Sequence, residues 1–131
     1  MSSAETDPGV TAEVARRSGI SYVHIPATDR RLAGDFYAAV FGWQLAGDSD
    51  TPSFQDGTGH VIGRWVPDQA PTGDDGIRLY ICVDSVQATL EKVLVHGGQV
   101  GQPPYAEGAL TVATFRDPTG NTLGIWQQRA G

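Results

Sequence analysis

The sequence predicts an α+β protein built from two copies of a strand–helix–strand–strand–strand module. The segments DGTGHVIGRW (residues 56–65) and DPTGNTLGIW (residues 117–126) align without a gap and share five of ten positions. An Asp-x-Thr-Gly turn is common by itself, but a turn does not explain the matching glycine and tryptophan beyond it. Both halves also open with a strand-like run, a helix cap and a helix that ends at glycine. Such self-similarity is typical of a repeated supersecondary unit.

The first module follows from local patterns. Residues 20–25 alternate and favour a strand, which Pro26 ends. Asp29, after Thr28, offers a helix cap, and Gly42 offers a stop. The helical stripe between them consists of Leu32, Phe36, Val40 and Phe41. Short strands are predicted at residues 43–46, 53–54 and 60–66, with a turn at residues 56–59.

The second module repeats this order. Residues 77–83 predict a strand, Asp84 and Ser85 a helix cap, and Gly97-Gly98 the helix end. The helical stripe consists of Val86, Leu90, Val93 and Leu94. Further strands are predicted near residues 99–100, 110–115 and 122–126. We therefore expect a flexible tail (1–18) and one domain (19–128), which comprises module 1 (about 20–66), a linker (67–76) and module 2 (about 77–127).

Composition restricts the function class. The chain has 131 residues and a net charge of -6, which argues against binding to nucleic acid or to an anionic membrane surface. No apolar stretch is long enough to span a bilayer, and residues 1–17 lack the apolar core of a signal peptide. Cys82 is the single cysteine, so we expect no intrachain disulfide and a cytoplasmic location.

Three segments carry a family resemblance. HIPATDRRLAGDFYAAVFGW (residues 24–43) resembles the opening of a vicinal-oxygen-chelate domain, the glyoxalase/bleomycin-resistance superfamily. FRDPTGN (residues 115–121) resembles the family's closing signature, and residues 83–98 fit the opening of its second module. The resemblance covers roughly residues 20–127. It implies that two paired βαβββ modules form a cupped, partly open eight-stranded sheet.

The resemblance also implies where metal ligands would lie. Metal-dependent members hold a divalent ion with His, Glu or Gln from four strands; the matching positions here are Tyr22, Gly63, Arg78 and Gly124. Glycine has no side-chain donor, and arginine is a permanent cation. The alignment of Tyr22 and Arg78 could be wrong by one residue in either opening strand. The alignment of Gly63 and Gly124 is taken as fixed, because both follow their turns without a gap. We therefore expect neither the family's usual metal site nor a cofactor.

Strand alternation predicts what lines the cup instead. Residues two apart point to the same face, so the lining should be aromatic with one fixed cation. We expect Val61 beside Gly63, Cys82 beyond Arg78, and Thr122 beside Gly124. The predicted ligand-binding residues are Tyr22, His24, Trp65, Arg78, Tyr80 and Trp126. This lining suits a flat or amphipathic organic ligand, with Arg78 favouring an anionic group.

Each of these assignments has a structural alternative. Trp65 and Trp126 are as well explained as core or dimer-interface residues. Arg78 could pair with an acidic residue across the sheet, and His24 could be a structural histidine bonded to backbone. Cys82 is expected to be a small buried apolar residue rather than a nucleophile.

Three functions fit this pattern. The first is a metal-free protein that binds or sequesters a small organic compound. The second is a metal-independent enzyme acting on a small carbonyl or natural-product substrate, with His24 or Tyr22 transferring a proton. The third is a metal-dependent lyase or dioxygenase with shifted ligands. Exposed sheet edges also predict a homodimer.

Overall fold

A computed structural model of the protein describes residues 10–129. The chain divides into two compact units, Met1–Ala70 and Pro71–Gly131. The first unit contains β1 (Tyr22–Pro26), α1 (Arg30–Phe41), β2 (Gln44–Ala46), β3 (Ser53–Gln55) and β4 (Ile62–Val66). The second contains β5 (Tyr80–Cys82), α2 (Val86–Val95), β6 (Gln99–Val100), β7 (Tyr105–Glu107), β8 (Leu110–Arg116) and β9 (Thr122–Gln128). The predicted α+β class and the strand–helix–strand order of both modules are confirmed.

Both helices begin at the predicted caps. The Asp29 side chain accepts a hydrogen bond from the Leu32 backbone N–H at 3.0 Å, and the Ser85 hydroxyl accepts one from Ala88 at 3.0 Å. Each bond satisfies a donor that the first helical turn leaves unpaired. α1 ends at Gly42, whose φ of 72° is the left-handed conformation that glycine adopts without strain.

The first sheet has the strand order β1-β4-β3-β2, with β1 parallel to β4 and the other pairs antiparallel. One face packs against α1: the rings of Tyr37 and Trp65 are 5.9 Å apart, and those of Phe54 and Trp65 are 4.8 Å apart. Gly34 allows close helix approach, because a Cβ there would lie 3.5 Å from Trp65 and 3.1 Å from Pro52. This aromatic layer is the core of the first unit.

The second sheet has the order β5-β9-β8-β6, and β7 also pairs with β8. β6 pairs with one end of β8 at Arg116, and β7 pairs with the other end at Leu110. Pro103 and Pro104 lie between β6 and β7, and neither has an N–H for the ladder. The second unit therefore has one strand more than predicted, because two short strands share one position beside β8.

The repeated turns share the hydrogen bonds from their threonine to their aspartate but hold different numbers of residues. The Asp56 carboxylate accepts from the N–H and hydroxyl of Thr58, and the Asp117 carboxylate accepts likewise from Thr119. The backbone N–H of Asp56 then donates to Val61, five residues on, whereas that of Asp117 donates to Asn121, four residues on. The first turn thus contains one extra residue, which shifts β4 by one position relative to β9.

The described part of the expected tail packs against the first unit. Val14 is only 4% exposed, and residues 10–20 continue directly into β1. The rest of the expected tail, residues 1–9, lies outside the described residues. Within residues 10–129, neither helix has the length and apolar character needed to cross a membrane.

Candidate functional site

Each sheet packs one face on its helix, and we call the opposite face its distal face. In the first sheet, Tyr22 pairs with Ile62 and His24 pairs with Arg64, so these four side chains share the first distal face. Tyr22 is 49% exposed, and His24 is also exposed. The predicted juxtaposition of Tyr22 and His24 is therefore present.

The expected positions of Gly63 and Trp65 are wrong. Gly63 pairs with Val23, and a Cβ on Gly63 would meet the ring of Phe54, which belongs to the α1 side. Trp65 is 1% exposed and packs on Tyr37 in the core, as the structural alternative required. The extra residue in the first turn explains both errors, because a one-residue shift moves a strand side chain to the opposite face. Arg64 takes the place on the distal face that the gapless alignment gave to Gly63.

His24 and Tyr22 interact directly. The His24 Nε2 and the Tyr22 hydroxyl are 3.1 Å apart, and the two rings meet edge to face with centroids 5.1 Å apart. The alternative expected for His24 was a ring hydrogen-bonded to the backbone. Its Nε2 contacts the Tyr22 hydroxyl instead. An imidazole in contact with a phenol hydroxyl is a pair through which a proton can move.

The second distal face gathers three of the predicted residues. Tyr80 pairs with Gly124 and Cys82 with Trp126, so these side chains point to one face. A Cβ on Gly124 would lie 2.2 Å from the ring of Tyr80. The absence of a side chain at position 124 therefore lets the tyrosine ring lie across β9.

Tyr105 joins this face from β7. It pairs with Val112, which in turn pairs with Trp126, so Tyr105 and Trp126 belong to one row across the sheet. Desolvation raises the pKa of Tyr105 above its ordinary value, and the charges of Tyr80 and Glu107 and a hydrogen bond with Tyr80 raise it further. The positive charge of Arg78 acts in the opposite direction on this pKa. Arg78 and Tyr80 are thus close enough to Tyr105 to affect its pKa, and we call these three residues the polar cluster beside Trp126.

Among residues 10–129, the ion pair that Arg78 makes is a local one rather than one across the sheet. Its Nη2 lies 4.0 Å from the carboxylate of Asp74 and donates to the Gly73 carbonyl at 3.5 Å. Asp74 is 94% exposed, so this ion pair is in solvent and contributes little. The Arg78 Nε is buried and has no hydrogen-bond partner among residues 10–129. Arg78 thus retains donor capacity beside Tyr80 and Tyr105.

Cys82 departs from its expected burial. It lies on the second distal face, and it is exposed rather than a small core residue. Thr122 does flank Gly124 on this face, and its hydroxyl is buried without a hydrogen-bond partner in the described chain.

At the positions that the family resemblance gives to metal ligands, the structure places residues other than His, Asp or Glu. The space that a side chain at position 124 would occupy is filled by the Tyr80 ring, and on the first distal face the position expected for Gly63 holds Arg64, a cation. Tyr22 and Arg78 supply a neutral phenol and a cation, and neither is a usual ligand for a divalent ion. Within the described residues, no three His, Cys, Asp or Glu side chains cluster closely enough to hold one.

A cavity of about 470 Å³ opens beside the first distal face. Its lining comes partly from the sheet and partly from the N-terminal segment, which we define as residues 10–20. The lining residues are Val10, Val14, Ala15, Ser21, Tyr22, Ile62 and Arg64. The sequence predicted neither this cavity nor the roles of Arg64 and Tyr105, since each depends on strand register.

The chain matches the sequence model of the glyoxalase-like domain over residues 22–125. It is 33% identical over 121 residues to "Putative glyoxylase CFP32" of Mycobacterium tuberculosis, a match that covers 86% of this chain and 46% of that protein. The chain therefore spans about half the length of this curated relative.

Two of the solved structures that share the fold are TnmS3 and FosX. TnmS3, an antibiotic-binding protein from Streptomyces sp. CB03234, superposes with a TM-score of 0.66 and 23% identity, covering 85% of this chain and 96% of that one. The fosfomycin resistance protein FosX from Listeria monocytogenes superposes with a TM-score of 0.69 and 13% identity, covering 86% and 94%. At these identities the two structures show the common glyoxalase/bleomycin-resistance fold alone.

Proposed function

The chain belongs to the glyoxalase-like domain family of the vicinal-oxygen-chelate superfamily, and from this premise we propose that it binds and sequesters a small organic compound without a metal ion. The ligand carries an aromatic or other flat apolar body and an anionic group. Residues 19–128 act as one domain in this proposal, since the family match extends through both units. The single exposed cysteine favours a reducing, cytoplasmic location.

The polar cluster beside Trp126 carries this proposal. Tyr80 and Tyr105 are 43% and 37% exposed, so solvent and ligand can reach both rings. Arg78 supplies a permanent charge and planar donors, which suit a carboxylate, sulfonate or phosphate. Aromatic rings next to a few convergent polar groups are the usual lining of a small-molecule site.

The fold relatives support a sequestering role by analogy. TnmS3 is described as antibiotic-binding, and FosX as a fosfomycin resistance protein. One scaffold supports many chemistries, so the analogy gives the class of function and the residues of this chain give the ligand chemistry. The ligand class that Arg78, Tyr105 and Trp126 could bind jointly is an aromatic anion.

A fluorescence titration tests the proposal. The probe is 8-anilinonaphthalene-1-sulfonate (ANS), an aromatic sulfonate, and binding should quench Trp126. We expect saturable quenching that Trp126→Phe removes. Trp43→Phe is the matched control, because Trp43 stacks on Tyr37 in the α1 layer and should leave the binding curve unchanged. Saturable quenching that survives Trp126→Phe would place the ligand elsewhere.

The contact between His24 and Tyr22 favours a second function, a metal-independent enzyme acting on a small carbonyl compound. The pair has the geometry for proton transfer at 3.1 Å. Incubation with small α-keto compounds, followed by NMR, tests for product. Conversion that is lost in both His24→Ala and Tyr22→Phe would select the enzyme over the binding protein.

A further inference from the structure

We propose that the Asp75-Gly76 step is a site of spontaneous covalent modification, at which aspartate rearranges to isoaspartate while the protein is folded. The sequence contains two Asp-Gly steps, Asp56-Gly57 and Asp75-Gly76. The structure restrains the first and leaves the second free to react. The inference does not depend on ligand binding, so it is tested separately from the proposed function.

The reaction needs no enzyme and no cofactor. The backbone nitrogen of Gly76 attacks the side-chain carboxyl carbon (Cγ) of Asp75, so a C–N bond forms and a C–O bond breaks. The hydroxyl of the protonated carboxyl group leaves as water together with the amide proton, and a succinimide ring remains. Water then opens the ring. Attack at Cγ restores aspartate, whereas attack at the backbone carbonyl carbon leaves the chain running through Cβ and Cγ, which is isoaspartate. No group is oxidised or reduced.

A glycine after the aspartate makes this attack possible. Gly76 has no side chain to shield its nitrogen, and its φ of 86° lies in the left-handed region that glycine adopts without strain. A Cβ at this position would meet no other atom within 4 Å, so the backbone here borders open space. Gly57 also lacks a side chain, so the difference between the two steps comes from their aspartates.

Asp56 is restrained by the turn that it organises. One oxygen of its carboxylate accepts hydrogen bonds from the N–H and hydroxyl of Thr58, at 3.1 and 2.7 Å. The same oxygen accepts from the N–H groups of Gly59 and Val61, at 3.1 and 3.3 Å. Ring closure onto Gly57 would turn this carboxylate into part of a neutral ring and change its orientation. The bonds to the charged group would then be lost, which raises the barrier to reaction.

Asp75 has no such restraint. It is exposed, and within residues 10–129 neither its carboxylate nor the Gly76 N–H has a hydrogen-bond partner. The flanking backbone is fixed at Thr72 and Leu79, whose carbonyls each accept a hydrogen bond from β9 at 2.8 Å. Between these two residues, the described chain forms no hydrogen bond from backbone to backbone. An exposed segment of this kind can reach the conformation for ring closure by local motion.

The modification would change the segment that leads to Arg78. The Arg78 guanidinium donates to the Gly73 carbonyl at 3.5 Å, and Asp75 lies between these two residues in the chain. Isoaspartate adds one side-chain carbon to the main chain at this point. A stored preparation would therefore contain two forms of the protein that differ next to the polar cluster.

Uptake of heavy oxygen measures the reaction at each aspartate. The folded protein is kept in neutral buffer made with heavy-oxygen water, and every succinimide that hydrolyses takes up one heavy oxygen atom. Trypsin digestion in ordinary water separates the two Asp-Gly steps by cleavage after Arg64 and Arg78, and fragment-ion mass spectrometry locates the label. We expect label to enter at Asp75 roughly tenfold or more faster than at Asp56, since the loss of one hydrogen bond to a charged group corresponds to about that factor.

A variant and an unfolded sample identify the cause. Asp75→Glu retains the charge but would need a larger ring, so label at this position should fall to the background level. In concentrated urea the hydrogen bonds of the Asp56 turn are lost, so the two Asp-Gly steps should take up label at similar rates.

Three results would overturn the inference. The first is equal labelling of the two steps in the folded protein, or faster labelling at Asp56. The second is a preference for Asp75 that persists unchanged in urea, because the local sequence and not the fold would then be its cause. The third is label at Asp74 in place of Asp75. ANS binding has no part in these measurements, so its failure would contradict the proposed function alone.

Discussion

Gly124 and Tyr80 show how one residue determines what the second distal face can hold. The tyrosine ring occupies the space that the Cβ of any other residue at position 124 would need. Tyr80 also raises the pKa of Tyr105 and belongs with it and Arg78 to the polar cluster. The absence of a side chain at position 124 is therefore what makes room for the Tyr80 ring.

Gly124→Ala tests this coupling. The methyl group would displace the ring of Tyr80, so we expect a loss of about 1–3 kcal/mol in the free energy of unfolding. The loss should shrink markedly in a Tyr80→Ala background, where the ring is absent. Urea denaturation measures both values, and Gly73→Ala is the control, since a Cβ there has no neighbour within 4 Å. Equal losses in the two backgrounds would show that the ring does not occupy this space.

The pKa of Tyr105 provides a second test at this scale. Desolvation and the adjacent Tyr80 raise this pKa, so the phenol should remain protonated beyond its ordinary range. Because the folded pKa lies above the unfolded one, the related stability is complete below the unfolded pKa and is lost as pH rises through the folded pKa. Tyr80→Phe should lower the pKa of Tyr105, as measured by NMR of carbon-labelled tyrosine. An unchanged or higher value would exclude the hydrogen bond between the two hydroxyls.

At the scale of elements, the two repeated turns determine which side chains reach each distal face. Both use one aspartate to bind the following backbone, but Asp117 is 3% exposed and also accepts from the buried amide of Asn121, whereas Asp56 is half-buried. A buried acceptor that is removed leaves its donors unsatisfied, which costs more than the loss of an exposed bond.

Asp117→Ala should therefore cost more than Asp56→Ala. We expect roughly 2–4 kcal/mol for Asp117 and about 1 kcal/mol for Asp56, since each buried unsatisfied donor costs about 1–3 kcal/mol. Thermal or urea unfolding of the two variants measures the difference. Equal costs, or a larger cost at Asp56, would contradict the assigned burial of the second turn.

The elements also show what sequence patterns can and cannot predict here. Asp29 and Ser85 were predictable as caps, because a cap depends on residues within one helical turn. The sheet faces on which Gly63 and Trp65 lie were not predictable. They depend on whether the backbone N–H of Asp56 bonds to Val61 or to the residue before it. The two Asp-x-Thr-Gly turns differ in length by one residue. The matching glycine and tryptophan after them therefore aligned positions that lie on opposite faces of their sheets. Arg64 was missed for the same reason.

At the scale of the whole molecule, both sheets have edge strands with one side unpaired within residues 10–129. These edge strands are β1 and β2 in the first sheet, and β5, β6 and β7 in the second. Such edges are available for pairing with another chain. We predict a homodimer, for which light scattering should report twice the chain mass of 13.9 kDa at micromolar concentration. A mass of one chain under these conditions would contradict this prediction.

The central claim is that an organic anion binds beside Trp126 without a metal ion, and an ANS titration in the presence of EDTA tests it most directly. We predict that the wild-type affinity is unchanged by the chelator and that Arg78→Gln weakens it roughly 10- to 150-fold, as expected for the loss of a charge-assisted hydrogen bond of about 1.5–3 kcal/mol. Binding that EDTA abolishes and a divalent ion restores would contradict the account.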